Sequence, residues 1–140
     1  MEAASLPDEP LEVAVAVIER EGKFLIAQRK PEDSFGGQWE FPGGKLRPGE
    51  DLAECLTREI REELGVTISV GPRLCVIDHA YPTRAIRLHC FVCSIAEGEP
   101  QAIECSQWQW IGPQELNRFR FPPASGPIIA EIQKRSAIFR

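Results

Sequence analysis

The stretch from Gly44 to Val66, GKLRPGEDLAECLTREIREELGV, constrains this chain more than any other. It opens on a glycine pair after Pro42 and closes on Gly65. The pattern from about Leu52 to Leu64 predicts a helix. Leu52, Leu56 and Ile60 recur at i, i+4 and i+8 and form an apolar stripe. Asp51 is the expected N-cap, with Glu54 three residues on as its capping-box partner, and Gly65 is the expected C-cap. At about 100° per residue, Glu59, Glu62 and Glu63 gather on another face. A solvated acidic face is the plain alternative for three glutamates at this spacing. Like charges so placed repel, however, and a divalent cation would resolve the repulsion. Hard oxygen donors clustered this way suit Mg²⁺ or Mn²⁺.

Around this helix the pattern alternates between short strands and turns. Leu11–Ile18 is valine-rich and reads as a buried strand. Glu21-Gly22 marks a turn, and Lys23–Arg29 returns as the second arm of a hairpin. A flexible loop follows over Pro31–Gly37, and then the run Trp39-Glu40-Phe41-Pro42-Gly43-Gly44-Lys45, whose glycines let the backbone approach a ligand closely. Beyond the helix, Val66–Val70 and Leu74–His79 read as two strands separated by Gly71-Pro72. Ala85–Ala96 is the longest strand candidate, with Arg87 and His89 on one face and Ile86, Leu88 and Cys90 on the other. Gln107–Ile111 is a further strand, a short helical piece runs from Pro113 to Leu116, and Pro127 starts a closing helix over about Ile128–Ala137. Residues 1–10 are expected to be disordered and 11–140 to form one domain. Strands with a central and a final helix make an α/β arrangement, a mixed sheet between helices.

The charge balance narrows the partners. A formal net charge of −5 argues against broad nucleic-acid binding and asks for local compensation by a cation if the ligand carries phosphates. No apolar run reaches the length of a membrane span, and the acidic, polar opening MEAASLPDEP resembles neither a signal nor a transit peptide. A cytoplasmic protein, monomeric or homodimeric, is the expectation. The five cysteines are an odd number in apolar or helical contexts, as reduced core thiols would be. Cys90 and Cys93 form a C-x-x-C, but in a strand they point to opposite faces, so shared zinc ligation is not expected.

Gly44, Glu50, Arg58-Glu59-Ile60, Glu62-Glu63 and Gly65-Val66 together resemble the Nudix box. The likeness extends to MutT-type members through the W-E-F-P-G-G-K lead-in, the E-G-E-P turn at Glu97–Pro100 and the F-P-P-A-x-x-P-I-I segment from Phe121. It implies a Nudix fold, an α/β/α sandwich with a mixed sheet. It also implies Mg²⁺-dependent hydrolysis of a nucleoside triphosphate to monophosphate and pyrophosphate. In that reading Glu59 and Glu63 are the principal metal ligands and Glu62 a ligand or supporting carboxylate. The backbone carbonyl of Gly43 or Gly44 is a further ligand. Arg58 orients the ligand carboxylates by charge-assisted hydrogen bonds, and Glu50 supports the loop or the metal shell. Glu104, in the loop before Trp108-Gln109-Trp110, matches a MutT-type glutamate that reaches the metal, as ligand or general base; its alternative is a solvated loop carboxylate. Lys45 is a candidate phosphate contact.

Substrate choice falls to residues outside the box. The resemblance places Arg29 and Arg84 at the nucleotide, though each also suits an ordinary strand-end charge. In MutT-type oxidised-guanine hydrolases an asparagine follows the F-P-P-A run and reads the base edge; here the residue is Ser125. A hydroxyl cannot reproduce a two-point amide pattern, and a lost buried hydrogen bond costs about 1–3 kcal/mol. Ser125 is equally suited to cap the last helix. The leading expectation is hydrolysis of 8-oxo-dGTP and other damaged nucleotides, a pool-cleansing activity allied to DNA repair. The alternative is hydrolysis of CTP or modified dCTP. A reading of another class is a Nudix module that binds nucleotides without hydrolysing them; the presence of all four box glutamates weighs against it.

Overall fold

Valine and alanine dominate Leu11–Arg20 (β1), and in the computed structural model this strand is buried on both faces. Residues 9–138 are described; residues 1–8, most of the segment expected to be disordered, lie outside the described residues, as do 139–140. Val15 and Val17 pack to one side of β1, and Ala14, Ala16 and Ile18 to the other. Strand alternation thus feeds two cores from one strand.

Lys23–Gln28 (β2) returns from the turn, where Glu21 and Gly22 take φ of 53° and 79°. The expected hairpin closes only at its tip, through Glu19↔Phe24 and Arg20↔Lys23. Beyond the tip its arms part, because each acquires another neighbour. The W-E-F-P-G-G-K run, to which the sequence assigned no strand, supplies two short strands, Trp39–Glu40 (β3) and Gly43–Lys45 (β4). β3 pairs with β2, and β4 lies antiparallel to β1 from Val13↔Lys45 to Val15↔Gly43.

The expected helix is Leu52–Leu64 (α1). Asp51 accepts from the Glu54 N–H while the Glu54 side chain accepts from the Asp51 N–H, a complete capping box. Gly65 ends the helix in the left-handed region at φ 73°, its N–H donating to the Arg61 carbonyl. Leu56, Ile60 and Leu64 are fully buried against the Ala14 side of β1.

Thr67–Tyr81 (β5) is one strand, not the two expected. Gly71-Pro72 does not break it; the register shifts between Val70 and Arg73, and again before Cys75, as a bulge that takes the proline out of the ladder. A Cβ on Gly71 would lie 2.6 Å from the Val92 carbonyl oxygen, so glycine suits the close approach. Arg84–Glu97 (β6) pairs antiparallel with β5 and parallel with β1, from Leu11↔Ile86 to Ile18↔Cys93. Cys90 joins the core on one face and Cys93 the core on the other, as alternation requires. Gln107–Ile111 (β7) pairs with β2. The sheet therefore runs β3-β2-β1-β6-β5, with β4 beside β1 and β7 beside β2.

Two 3-10 segments, Pro113–Arg118 and Pro123–Ser125, lead into Gly126–Ile138 (α2). Ile128, Ile129 and Ile132 of α2 cover the Val15 side of the sheet. A mixed sheet with a helix on each face completes the α/β/α sandwich. No helix among the described residues is long and apolar enough to cross a membrane.

The β1–β4 pairing rests on an absent side chain. A Cβ on Gly43 would lie 2.1 Å from the Ala14 carbonyl oxygen and 3.0 Å from the Val15 Cα, both backbone atoms of the central strand. Gly43→Ala is expected to destabilise the fold by about 1–3 kcal/mol, read as a lower urea midpoint with the denaturant slope unchanged.

Candidate active site

Arg58 is the hub of the site. It lies mid-helix on α1, and the chain before the helix turns back at Pro48-Gly49 to bring Glu50 to its guanidinium. Nε and Nη2 donate to the two Glu50 oxygens at 2.5 and 3.0 Å, a bidentate pair. Nη1 donates to Glu59 at 2.9 Å and to Glu62 at 3.4 Å, and Nη2 to the Lys45 carbonyl at 3.3 Å. Glu50 also accepts from the Arg47 N–H at 3.0 Å. The Arg58 hydrogen bond, with that N–H behind it, holds the Glu50 carboxyl down to about 2. The same pairing drives the Arg58 pKa upward.

Glu59 and Glu63 lie one turn apart and are half-buried; Glu62 stands farther out, its side chain 42% exposed against 16% for Glu59. The Glu59 carboxyl rests on β4: a Cβ on Gly44 would fall 2.2–2.6 Å from its carboxyl atoms. The close approach expected of these glycines is thus made to the protein itself, by Gly43 to β1 and by Gly44 to Glu59. Glu104 arrives by a capping device. The Ile103 and Glu104 N–H groups donate to the Glu63 carbonyl and the Gln101 N–H to that of Leu64, so the loop satisfies the orphan carbonyls at the end of α1.

Glu40 joins this group and was not among the residues singled out from sequence. It sits on β3 opposite Ala27, on the α1 side of the sheet. Arg29 Nη1 donates to it at 2.9 Å. Burial raises the Glu40 pKa against the opposing Arg29 charge. Burial does the same more strongly to Glu63, reinforced by the negative charges of Glu40, Glu59 and Glu104 and by contact with the Glu59 carboxyl. Four carboxyl groups from α1, β3 and the loop before β7 therefore crowd one place. The one sequence signal for Glu40 was its position in W-E-F-P, two residues before the turn into β4.

A cleft of about 400 Å³ opens from this place. Arg29, Lys45, Glu40, Gly43 and Gly44 line its polar end; Tyr81, Ile86, Leu88, Pro122, Ser125 and Ile128 line the rest. Arg29 Nε donates to the Ser34 carbonyl at 2.5 Å, so Arg29 fastens the 30–37 loop as well as Glu40. Ser125 is buried, on the 3-10 turn just ahead of α2, its N–H donating to the Pro122 carbonyl. Tyr81 accepts at its hydroxyl from the Ala124 N–H at 3.2 Å. Arg84 is not brought into the cleft wall. It shares a face with Ile86 and Leu88 by alternation but stands beyond them, exposed, across the hairpin end from Tyr81. A second cavity, about 440 Å³, lies between α2 and the sheet near Glu19 and Leu74. Chemistry and not volume distinguishes the two, since only the first meets the carboxyl group cluster.

Among the described residues no three acidic, histidine or cysteine side chains stand as a ready-formed coordination shell. The fit to a divalent cation lies in the donor chemistry. Carboxyl oxygens are hard donors, burial, like charges and the Glu59 contact all raise the Glu63 pKa, and a cation there would oppose that shift.

A NUDIX domain family model matches residues 13–131. The chain is 38% identical to the CTP pyrophosphohydrolase of Escherichia coli K12 over 119 residues, 85% of this chain and 88% of that protein. It is 32% identical to the 8-oxo-dGTP diphosphatase of the same organism over 125 residues, 89% of this chain and 97% of that protein. Among solved structures, the E. coli ORF135 protein superposes with a TM-score of 0.81 at 35% identity, covering 93% of each chain. The MutT protein of Methanosarcina mazei shares the fold, with a TM-score of 0.81 at 22% identity over 91% of this chain and 96% of that one.

Two outcomes are expected of this geometry. Gly44→Ala meets the end of a side chain where Gly43→Ala meets backbone. It should cost less stability yet weaken Mn²⁺ binding by about tenfold or more through displacement of Glu59, as calorimetry would read. The raised pKa of Glu63 means that it carries a proton at neutral pH, so cation binding should release about one proton and tighten as pH rises. Calorimetry in buffers of different ionisation enthalpy measures that release, and Glu63→Gln should abolish it.

Proposed function

The chain belongs to the NUDIX domain family, and on that premise we propose a Mg²⁺-dependent nucleoside triphosphate pyrophosphohydrolase that yields a nucleoside monophosphate and pyrophosphate. The observation that carries this reading is the joining of a carboxyl group cluster to one end of a cleft whose other end is apolar. A substrate that is polyanionic at one end and planar at the other fits such a cleft. Glu59 and Glu63, with Glu62 at the margin and the Gly43 or Gly44 carbonyl, would hold the cation, and Glu104 serves as the base. When bound, it supplies charge neutralisation for phosphate oxygens and a lowered pKa for a ligated water. Arg58 keeps Glu59 in place without reaching the substrate, and Glu50 keeps Arg58 in place. Lys45 and Arg29, at the polar end, face the phosphates. Water attacks the β-phosphorus, the bond to the α-phosphate oxygen breaks, and Glu104 accepts the proton of the attacking water. The partner is a small nucleotide rather than a nucleic acid. A cytoplasmic monomer or homodimer belongs to the same reading.

Oxidised purine triphosphates such as 8-oxo-dGTP come first as substrates, by the likeness to the diphosphatase relatives over nearly their whole length. Cytosine triphosphates are the second reading, and Ser125 favours them. It is the one buried polar residue among those described, it lines the cleft, and its side chain carries a single hydroxyl. Steady-state rates on canonical and damaged (d)NTPs, with pyrophosphate detected, separate the two. Wild type is expected to turn over 8-oxo-dGTP, with Glu63→Gln slower by more than about 100-fold. Turnover of CTP or 5-methyl-dCTP with none of 8-oxo-dGTP would sink the first reading and leave the second.

A further inference from the structure

We infer that Phe35 is the stacking platform for the nucleobase, and so a residue that selects nucleotides over polyphosphates lacking a planar ring. The inference rests on the cleft being the nucleotide site. Three observations carry it. First, Phe35 is a large apolar side chain left 42% exposed, and it lines the mouth of the cleft. Second, its ring centroid lies 5.4 Å from that of Tyr81 at an interplanar angle of 50°, so the two rings flank the apolar end without stacking flat on one another. Tyr81 is held on its other side by His79, centroids 4.5 Å apart, and by the Ala124 N–H. Third, Phe35 sits at φ +56°, a left-handed backbone that an aromatic residue adopts at a cost. Glycine would relieve that cost, and with it would go the ring.

The loop around Phe35 is built to keep it there. The Gly37 N–H donates to the Arg29 carbonyl, the Gln38 N–H to the Phe35 carbonyl, and Arg29 Nε to the Ser34 carbonyl. Gly36 packs so closely that a Cβ would lie 2.3 Å from the Pro31 carbonyl oxygen, and Gly37 takes φ +83°. The same Arg29 that lines the phosphate end thus anchors the peptide that carries the ring at the base end. A half-exposed side chain whose one aromatic neighbour among the described residues is Tyr81, in a costly conformation, on a pinned loop, over the apolar part of a ligand cleft is placed for contact with a ligand. Every nucleobase offers a π-face, so the contact adds affinity across bases while leaving the base edge to other groups, Ser125 among them.

Binding of CMP and 8-oxo-dGMP, measured by calorimetry without added metal, tests this independently of turnover. Phe35→Gly is expected to bind both about tenfold or more weakly and to melt at or above the wild-type temperature, because glycine accepts the left-handed backbone. Phe35→Trp should restore affinity to within about threefold of wild type, and its added indole emission should change when nucleotide binds. Equal affinity in Phe35→Gly and wild type overturns the inference, as does weakening that Phe35→Trp fails to restore. Nucleotide hydrolysis with unaltered Phe35→Gly binding leaves the pyrophosphohydrolase reading standing and removes this one; nucleotide binding that depends on Phe35 without hydrolysis does the reverse. Failure of wild type to bind either nucleotide removes this inference, while the pyrophosphohydrolase reading stands or falls with the turnover assay.

Discussion

One guanidinium holds the loop and the helix of the site in a single geometry. Arg58 is bonded to both oxygens of Glu50, to Glu59, to Glu62 and to the Lys45 carbonyl. These partners come from α1, from β4 and from the turn between them, so the pattern forms only when all three are in place. Arginine suits the task because its planar fork donates in several fixed directions and never loses its proton. Glu50 makes the hub work, since a bidentate carboxylate fixes the orientation of the fork and points its remaining N–H toward Glu59. Gly44 completes the arrangement from beneath. With no Cβ there, β4 can lie against the carboxyl of Glu59 while still pairing with β1.

The hub neutralises only part of the site. Glu50 and Glu59 have Arg58, and Glu40 has Arg29, but Glu63 lies among Glu40, Glu59 and Glu104 with burial working against its charge. The fold thus places two arginine-paired carboxylates, Glu40 and Glu59, beside Glu63, which has no such partner among the described residues. Burial of a lone carboxylate is costly enough that it takes up a proton instead. On the proposed reading a divalent cation would reverse that balance and supply the charge that the net −5 of the chain lacks for a polyphosphate. The capping loop at 101–104 serves the same end by a different route. In satisfying the last carbonyls of α1 it also delivers Glu104 to the cluster.

The parts of this structure written locally were legible in the sequence, and the parts that depend on distant pairing were not. Asp51, Glu54 and Gly65 announce the ends of α1 because capping is a matter of residues three apart. Leu56 and Ile60 announce its buried face by period. β3 and β4 are too short to show any period, and they exist because β1 and β2 part beyond their turn and accept new neighbours. Gly71-Pro72 looked like a break, since a proline cannot donate to a ladder; the bulge accommodates it on β5, at the edge of the sheet. Glu40 escaped notice for a related reason. Its neighbour in space, Glu63, lies far along the chain and meets it only through the β2–β3 pairing and the packing of α1 against the sheet. Arg84 shows the converse: strand alternation sets its face correctly, but its distance from the cleft is set by where the hairpin ends.

On the proposed reading, chemistry and selection are separated along one cleft, and the separation follows from the fold. The reacting end is made of α1, β3, β4 and the loop before β7, all fastened to the central strands by backbone pairing or by the Arg58 hub. The selecting end is made of β6, the end of β5, the turn before α2 and the 30–37 loop. Among the described residues Arg29 joins the two, bonding Glu40 of the polar end and the Ser34 peptide before Phe35. If Ser125, Tyr81 and Phe35 select the base as proposed, a change there would leave the carboxyl groups undisturbed, because none of these is bonded to the hub. A change at Arg29 would alter both ends together. This is why the glutamates at Glu59, Glu62 and Glu63 speak to the reaction and say so little about which nucleotide enters.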